Sequence, residues 1–222
     1  MVLTLYTFEL SPCARAVHMV IHKLGLADVQ YVEINVLKKE QFDENYLKIN
    51  PQHTIPTLVD DELIIIDSHA IVTYLVNKYA PGDELYPADP QPRAMVDQRL
   101  HFDSGSLFTG LRMAVNKTFN LLCCRGDLLS GNKCIRAEII SRITSSYKFT
   151  EMFLTSDWIA GDHLTLADIC CVATISSLNA VFPIDNDLYP NLKAWILRCS
   201  ELDFYKACNE PGLALFKEAM FA

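Results

Sequence analysis

The sequence predicts an α/β domain followed by an all-α domain, and three observations carry that prediction. Within the first 80 residues, short apolar runs alternate with helix-spaced segments in the order β-α-β-α-β-β-α. Pro81, Gly82, Pro87, Pro90 and Pro92 then crowd together, which is the composition of a linker. Beyond them, period-two alternation almost vanishes and apolar residues recur at helical spacing. The expected division is residues 1–80, a linker at 81–90, and residues 91–222.

Residues 2–6 form a short apolar run with β-branched members, read as the first strand. Ser11-Pro12 follows, an N-cap serine with proline at the first helical position. Val17, Val20, Ile21 and Leu24 continue it at helical spacing as far as Gly25. Val32, Ile34 and Val36 alternate with Glu33 and Asn35, which predicts a second strand with one wet face. A polar helix is expected at 40–49, then a loop with two prolines from Asn50 to Pro56. Thr57-Leu58-Val59 and Leu63–Ile66 flank an acidic turn as a hairpin, and Asp67-Ser68 opens a helix to about Tyr79. In the second domain, helices are expected at 92–122, with Gly105 and Gly110 as bends, and at 133–154, 166–181, 190–200 and 212–220. Thr165-Leu166-Ala167-Asp168 reads as a capping box with aspartate for the usual glutamate, stapled by Leu164 and Ile169. The helix it launches is apolar nearly all round, so it belongs at the domain's centre.

Composition narrows the function. The chain carries 19 basic and 27 acidic residues, a net charge of −8, with no basic face or tail. That disfavours nucleic acid as a partner. No signal-peptide pattern opens the chain and no run of about 18 apolar residues occurs, so the expectation is a cytoplasmic protein with no membrane partner. Among eight cysteines, the adjacent pairs Cys123-Cys124 and Cys170-Cys171 are awkward for disulfides, and no CxxC pair suggests zinc. Reduced, packed thiols are expected, and the sequon Asn116-Lys117-Thr118 then carries no meaning. His18 and His22 have the spacing of metal ligands but lack a third ligand, so no metal is expected.

A strand leading through a loop into a Ser-Pro helix start, with Ile-Pro ahead of a hairpin strand, is a layout suited to sulfur. A helix N-terminus carries roughly half a positive charge and unpaired N–H groups, which stabilise a thiolate. The segments LSPCARAV, NPQHTIPTL, DSHAIVTYLVNKYAPGDELYP and HLTLADI, in that order across nearly the whole chain, resemble the cytosolic glutathione transferases, specifically the insect epsilon class. The resemblance implies a thioredoxin-like glutathione-binding domain, an all-helical domain shaping an electrophile pocket, and a homodimer.

By that resemblance Ser11 is the catalytic serine that holds the thiolate of glutathione, the co-substrate. Gln52, His53, Thr54 and Ile55 fall on the segment that runs antiparallel to the tripeptide, with Ile55 pairing its cysteinyl backbone and His53 near its glycyl carboxylate. Pro56 matches the family's cis-proline. Ser68 is expected at the γ-glutamyl carboxylate, Asp67 at the amino group, and His69 beside them. Arg112 faces the glutathione cleft, while Leu10, Phe108, Leu111, Arg112, Val115 and Phe119 line the electrophile pocket. Two departures stand out. Cys13 replaces the second proline after Ser-Pro, and Gln41 replaces a histidine that reaches glutathione.

The expected activity is conjugation of glutathione to apolar electrophiles, a detoxifying reaction, with insecticide dehydrochlorination among its forms. Two alternatives stay open: a non-catalytic or biosynthetic relative that binds apolar ligands or hormones, and a thiol-disulfide oxidoreductase working through Cys13.

Overall fold

The computed structural model describes residues 3–120 and 137–221, with the backbone alone for 116–120. The first domain is a four-stranded sheet, in the order β2-β1-β3-β4, with helices on both faces. Strand β1 (Leu3–Thr7) buries Leu3, Leu5 and Thr7 on alternate positions, turning them toward α1 (Pro12–Lys23) and α3 (Ser68–Tyr79). Tyr6, on the other face, meets Tyr46 of α2 (Glu44–Ile49) with ring centroids 5.6 Å apart. The hairpin of β3 (Thr57–Asp60) and β4 (Leu63–Ile66) forms as expected, antiparallel to β1 through β3.

Two readings of this domain need correction. The second strand, β2, is Val29–Glu33 rather than the run through Val36. It pairs in parallel with β1 from Leu3↔Val29 to Thr7↔Glu33, so it ends where its partner ends. Asn35 then accepts hydrogen bonds from the N–H groups of Leu37 and Lys38, and the chain turns into short 3-10 segments at Val36–Lys38 and Glu40–Phe42. These consume the first half of the helix expected at 40–49, and α2 starts only where Asp43 caps it.

In the second domain the helix expected at 92–122 begins earlier, at Pro90 behind the Asp89 cap, and is divided. α4 (Pro90–Phe102) and α5 (Phe108–Asn120) are joined by a π-helical turn, Asp103–Leu107, which contains Gly105. Gly110 causes no bend; it lies within α5, close to Ile143. α6 (Ala137–Phe153), α7 (Leu166–Val181) and α8 (Pro190–Ser200) follow the predicted pattern, residues 133–136 lying outside those described. A short α9 (Asp203–Cys208), absent from the sequence reading, precedes α10 (Glu210–Phe221).

α7 is buried from Leu166 through Leu178 and forms the centre of its domain. Asp168 does more there than cap a helix. One carboxylate oxygen accepts from the Thr165 N–H at 2.9 Å and from the Thr165 hydroxyl at 3.0 Å. The other accepts from the Ile159 N–H at 2.8 Å and the Trp195 indole N–H at 2.9 Å. Four donors on a fully buried carboxylate thus join α7, α8 and the turn before them. α1 packs between α3 and α7, where the buried Arg15 guanidinium donates to the Ala173 carbonyl and the Ser177 hydroxyl. The helix that carries Ser11 is thereby fixed to the second domain.

Candidate active site

The strand register gathers three of the expected site segments at one end of the sheet. Tyr6 is opposite Thr57, and Thr57 is opposite Ile66. The chain leaving β1 toward Ser11, the chain entering β3 from Pro56 and the chain leaving β4 at Asp67 therefore share one edge of the domain.

Ser11 has the extended backbone of an N-cap, and its oxygen accepts from the Ala14 N–H at 3.4 Å. That bond is long for a cap. Its hydroxyl proton is not committed by it, so the group can donate to an anion at the helix end while its oxygen still caps. Pro12, at the first helical position, has no N–H to offer.

The Asn50–Pro56 loop is held from within. The Asn50 amide donates to the Thr54 carbonyl at 2.9 Å and to the Thr57 hydroxyl at 2.9 Å, and the Tyr46 hydroxyl donates to the same Thr54 carbonyl. His53 takes a left-handed backbone conformation, φ 47°, and its exposed ring packs on Phe42 with centroids 4.8 Å apart. The Ile55–Pro56 peptide bond is cis. Gln52, His53 and Thr54 are exposed, Ile55 is half-buried and Pro56 is buried. Among the described residues nothing pairs with the Ile55 backbone N–H or C=O, which leaves an edge open to an extended ligand. Gln41 turns inward; its side-chain oxygen is buried without a partner among the described residues.

Asp67, also left-handed at φ 77°, caps α3 through one oxygen, which accepts from the N–H groups of His69 and Ala70. Ser68 is buried beside Cys13. The His69 ring lies 2.9 Å from Asp103 of the π turn. Burial opposes a charge on His69, but the neighbouring Cys170 sulfur and Asp103 carboxylate outweigh it, and the imidazole is raised to about 11. A histidine whose folded value exceeds its unfolded one, ordinarily near 6.5, contributes stability that is full below that pH and fades as pH rises toward the folded value. The unfolding free energies of the wild type and His69→Gln are accordingly expected to converge as pH is raised from 6.5 to 9. Denaturant titrations check this, and a constant gap would contradict a charged His69.

Cys13 retains some surface exposure as a residue, yet its thiol is pushed up to about 12, by burial first and then by the Asp103 carboxylate. A thiol so placed is a poor nucleophile at neutral pH. His18 shares a 2.8 Å hydrogen bond with Thr7, and burial pulls it down to about 4. Among the described residues no three metal-binding side chains cluster.

The second domain closes an apolar cavity of about 230 Å³ over Ser11. Leu10, Ser11, Phe108, Leu111, Arg112 and Val115 all line it. The Phe119 side chain lies outside those described. Arg112 is exposed at the rim and makes no ion pair among the described residues. The wall also includes Phe8, Pro12, Val36, Leu37, Phe216 and Ala219, which the sequence reading missed. Val36 is misread as strand, and Phe216 and Ala219 arrive from the far end of the chain on α10. Asp103 too was not singled out; its only local signal is a position near Gly105.

Fold and site together define a two-domain protein with a thioredoxin-like sheet whose open edge adjoins a serine-capped helix and an apolar cavity. Residues 5–84 match the glutathione S-transferase N-terminal domain family, and residues 136–203 match the corresponding C-terminal domain family. Glutathione S-transferase 1 of Manduca sexta is 49% identical over 219 residues, covering 98% of this chain and 97% of that protein. An epsilon-class glutathione S-transferase from the housefly, Musca domestica, superposes with a TM-score of 0.85 at 40% identity, covering 98% of this chain and 96% of that one. A glutathione transferase homologue from Drosophila mojavensis, solved with bound glutathione, gives 0.87 at 40% identity, with 99% and 96% covered. The chain belongs to the glutathione S-transferase family of enzymes.

Proposed function

We propose that the protein holds glutathione along the Gln52–Pro56 edge, ionises its thiol at Ser11, and conjugates it to apolar electrophiles seated in the adjoining cavity. The single observation that carries this reading is the position of Ser11, at a helix N-terminus and in the wall of a cavity whose other lining residues, Arg112 apart, are apolar. The hydroxyl and the helix end together favour the thiolate. Its sulfur attacks a carbon bearing a leaving group; a C–S bond forms, the carbon–halogen bond breaks, and halide departs with the electron pair. The thiol proton has already passed to solvent, and no enzyme–substrate bond forms. The protein contributes proximity and electrostatic stabilisation of sulfur.

Within this reading, the unpaired Ile55 backbone meets the cysteinyl unit, with Gln52, His53, Thr54 and Gln41 toward the glycyl end. Ser68, the α3 N-terminus and the uncommitted Asp67 oxygen take the γ-glutamyl end, and the charged His69 lies beside them. Arg112 sits at the rim between the two ligands. The domain division at 1–80, 81–90 and 91–222 belongs to the same reading, as does residence in the cytoplasm. Detoxification, including dehydrochlorination with the thiolate as base, is its physiological form. A homodimer is supported by Met95 on α4 and by Phe149 and Met152 on α6, all large and exposed. Sedimentation at micromolar concentration is expected to show a dimer; a monomer would contradict it.

The test is conjugation of a chlorinated dinitrobenzene. Wild-type protein and Cys13→Ser are expected to be active within about threefold of each other, because the Cys13 thiol is buried and protonated. Ser11→Ala is expected to be the damaged variant. Full activity in Ser11→Ala with loss in Cys13→Ser would favour the oxidoreductase, and no wild-type activity would favour a binding protein.

A further inference from the structure

Among the described glycines, Gly212 is the one where an added Cβ would run into backbone. That carbon would run into the Glu9 carbonyl oxygen, and would stand 3.1 Å from the Glu9 carbonyl carbon and 2.7 Å from Arg15 Cδ. None of these neighbours yields readily. Glu9 belongs to the short loop that delivers Ser11 from β1 to α1, and the Ser11 N–H ties that loop down by donating to the Phe8 carbonyl at 2.9 Å. Arg15 is buried and anchored on α7 through Ala173 and Ser177.

Gly212 lies in the first turn of α10, and Phe216 and Ala219 follow it four and seven residues later. That spacing places all three on one helix face. The helix therefore rests on the Glu9 backbone through Gly212 and presents Phe216 and Ala219 to the cavity, whose wall also holds Leu10 and Ser11. How closely α10 approaches the loop sets how far the roof of the cavity stands from the catalytic hydroxyl.

We propose that Gly212 determines the size of electrophile the enzyme accepts, by letting α10 lie directly against the Glu9 backbone and so fixing the gap between Phe216 and Leu10. The inference rests on the reading of the cavity as the electrophile site. Relieving the overlap of an added Cβ with the Glu9 carbonyl oxygen to ordinary van der Waals separation requires α10 to withdraw by about 1 Å. The start of the helix is held, since the Asn209 amide donates to the Ser176 hydroxyl at 3.2 Å. Withdrawal is thus expressed as a tilt that carries Phe216 away from the loop. The glutathione edge at Ile55 and Asp67 lies on other elements and is left in place.

The experiment uses the full-length protein and two chlorides with the same reacting group, para-nitrobenzyl chloride and the bulkier chloromethylanthracene, at saturating glutathione. Gly212→Ala is expected to raise the ratio of kcat/KM for the bulky over the small chloride about tenfold, the effect of a methylene-scale change in an apolar pocket. The change should appear mainly in the KM for the electrophile, with the KM for glutathione unchanged, a split that general loss of stability would not produce. Ala219→Val narrows the same gap without touching the Glu9 contact, and is expected to move the ratio the other way. Should Gly212→Ala fail to fold, α10 cannot withdraw from the Glu9 backbone, and that result too overturns the inference. Active wild type with a ratio unmoved by either folded variant, or moved in the opposite sense, overturns this inference alone. Wild type that conjugates neither chloride overturns the cavity reading and this inference with it.

Discussion

Replacing Ser11 by alanine is expected to cut conjugation turnover roughly ten- to a hundredfold while leaving glutathione bound. A hydrogen bond to a charged group contributes about 1.5–3 kcal/mol, and each 1.36 kcal/mol is a factor of ten in the ionised fraction or in rate. The loss should stop there, because the helix end and its backbone N–H groups remain. The KM for glutathione should change little, since the Ile55 edge and the Asp67–Ser68 end do not depend on residue 11. Stability should change little as well. Loss of an N-cap typically costs about 1 kcal/mol, and here the Ser11 oxygen is already 3.4 Å from the Ala14 N–H. Ser11→Thr keeps a hydroxyl at the cap and is expected to recover part of the turnover. A Ser11→Ala enzyme as fast as wild type, measured at saturating glutathione, would remove the hydroxyl from the mechanism.

The second large effect is on stability. Asp168→Ala is expected to destabilise the protein by about 3–5 kcal/mol, at the upper end for a single substitution, because one deletion removes the shared acceptor of a buried hydrogen-bond network. Deletion leaves the N–H groups of Ile159 and Thr165, the Thr165 hydroxyl and the Trp195 indole N–H without their acceptor in a region closed to water. Each buried orphan costs about 1–3 kcal/mol before relaxation. Asp168→Asn retains one acceptor oxygen but sets an amide donor against two of the four donors, so it should recover only part of the loss. For a chain of this size 1 kcal/mol moves Tm by about 2–4 °C, so Asp168→Ala should melt roughly 10 °C or more below wild type. A shift under about 3 °C would show that the network is not a keystone of the second domain.

Much of this was legible from residues close in sequence, and little of what depends on distant ones. Ser11-Pro12 and Thr165–Asp168 announce helix starts because capping is a local event between residues three apart. The hairpin at 57–66 is equally local. β2 was misplaced because Val32, Ile34 and Val36 alternate whether or not a partner strand extends beside them, and β1 ends at Thr7. The break in the 92–122 helix fell at the π turn around Gly105, while Gly110, an equal candidate by residue type, stays helical against Ile143. Asp168 reads as a cap, but half its hydrogen bonds reach Ile159 and Trp195, contacts that only tertiary packing creates.

The site divides along the same line. Leu10, Ser11, Phe108, Leu111, Arg112 and Val115 come from two stretches with clear helical spacing, and the fold brings them to one cavity. Phe216 and Ala219 carry no local mark of a binding site, and the closeness of Gly212 to Glu9 has no sequence signature at all. The His69–Asp103 pair is hidden for the same reason, as its partners sit on different domains.

The central claim is that the Ser11 end of α1 keeps the thiol of bound glutathione ionised. Ultraviolet difference titration of the glutathione complex measures this directly through thiolate absorbance. A free cysteine thiol titrates near pH 8.5. The bound thiol of the wild type is expected to titrate about two units lower, and that of Ser11→Ala to return at least one unit toward the free value. A bound thiol that titrates as it does in free solution, or identically in the two proteins, would contradict the account.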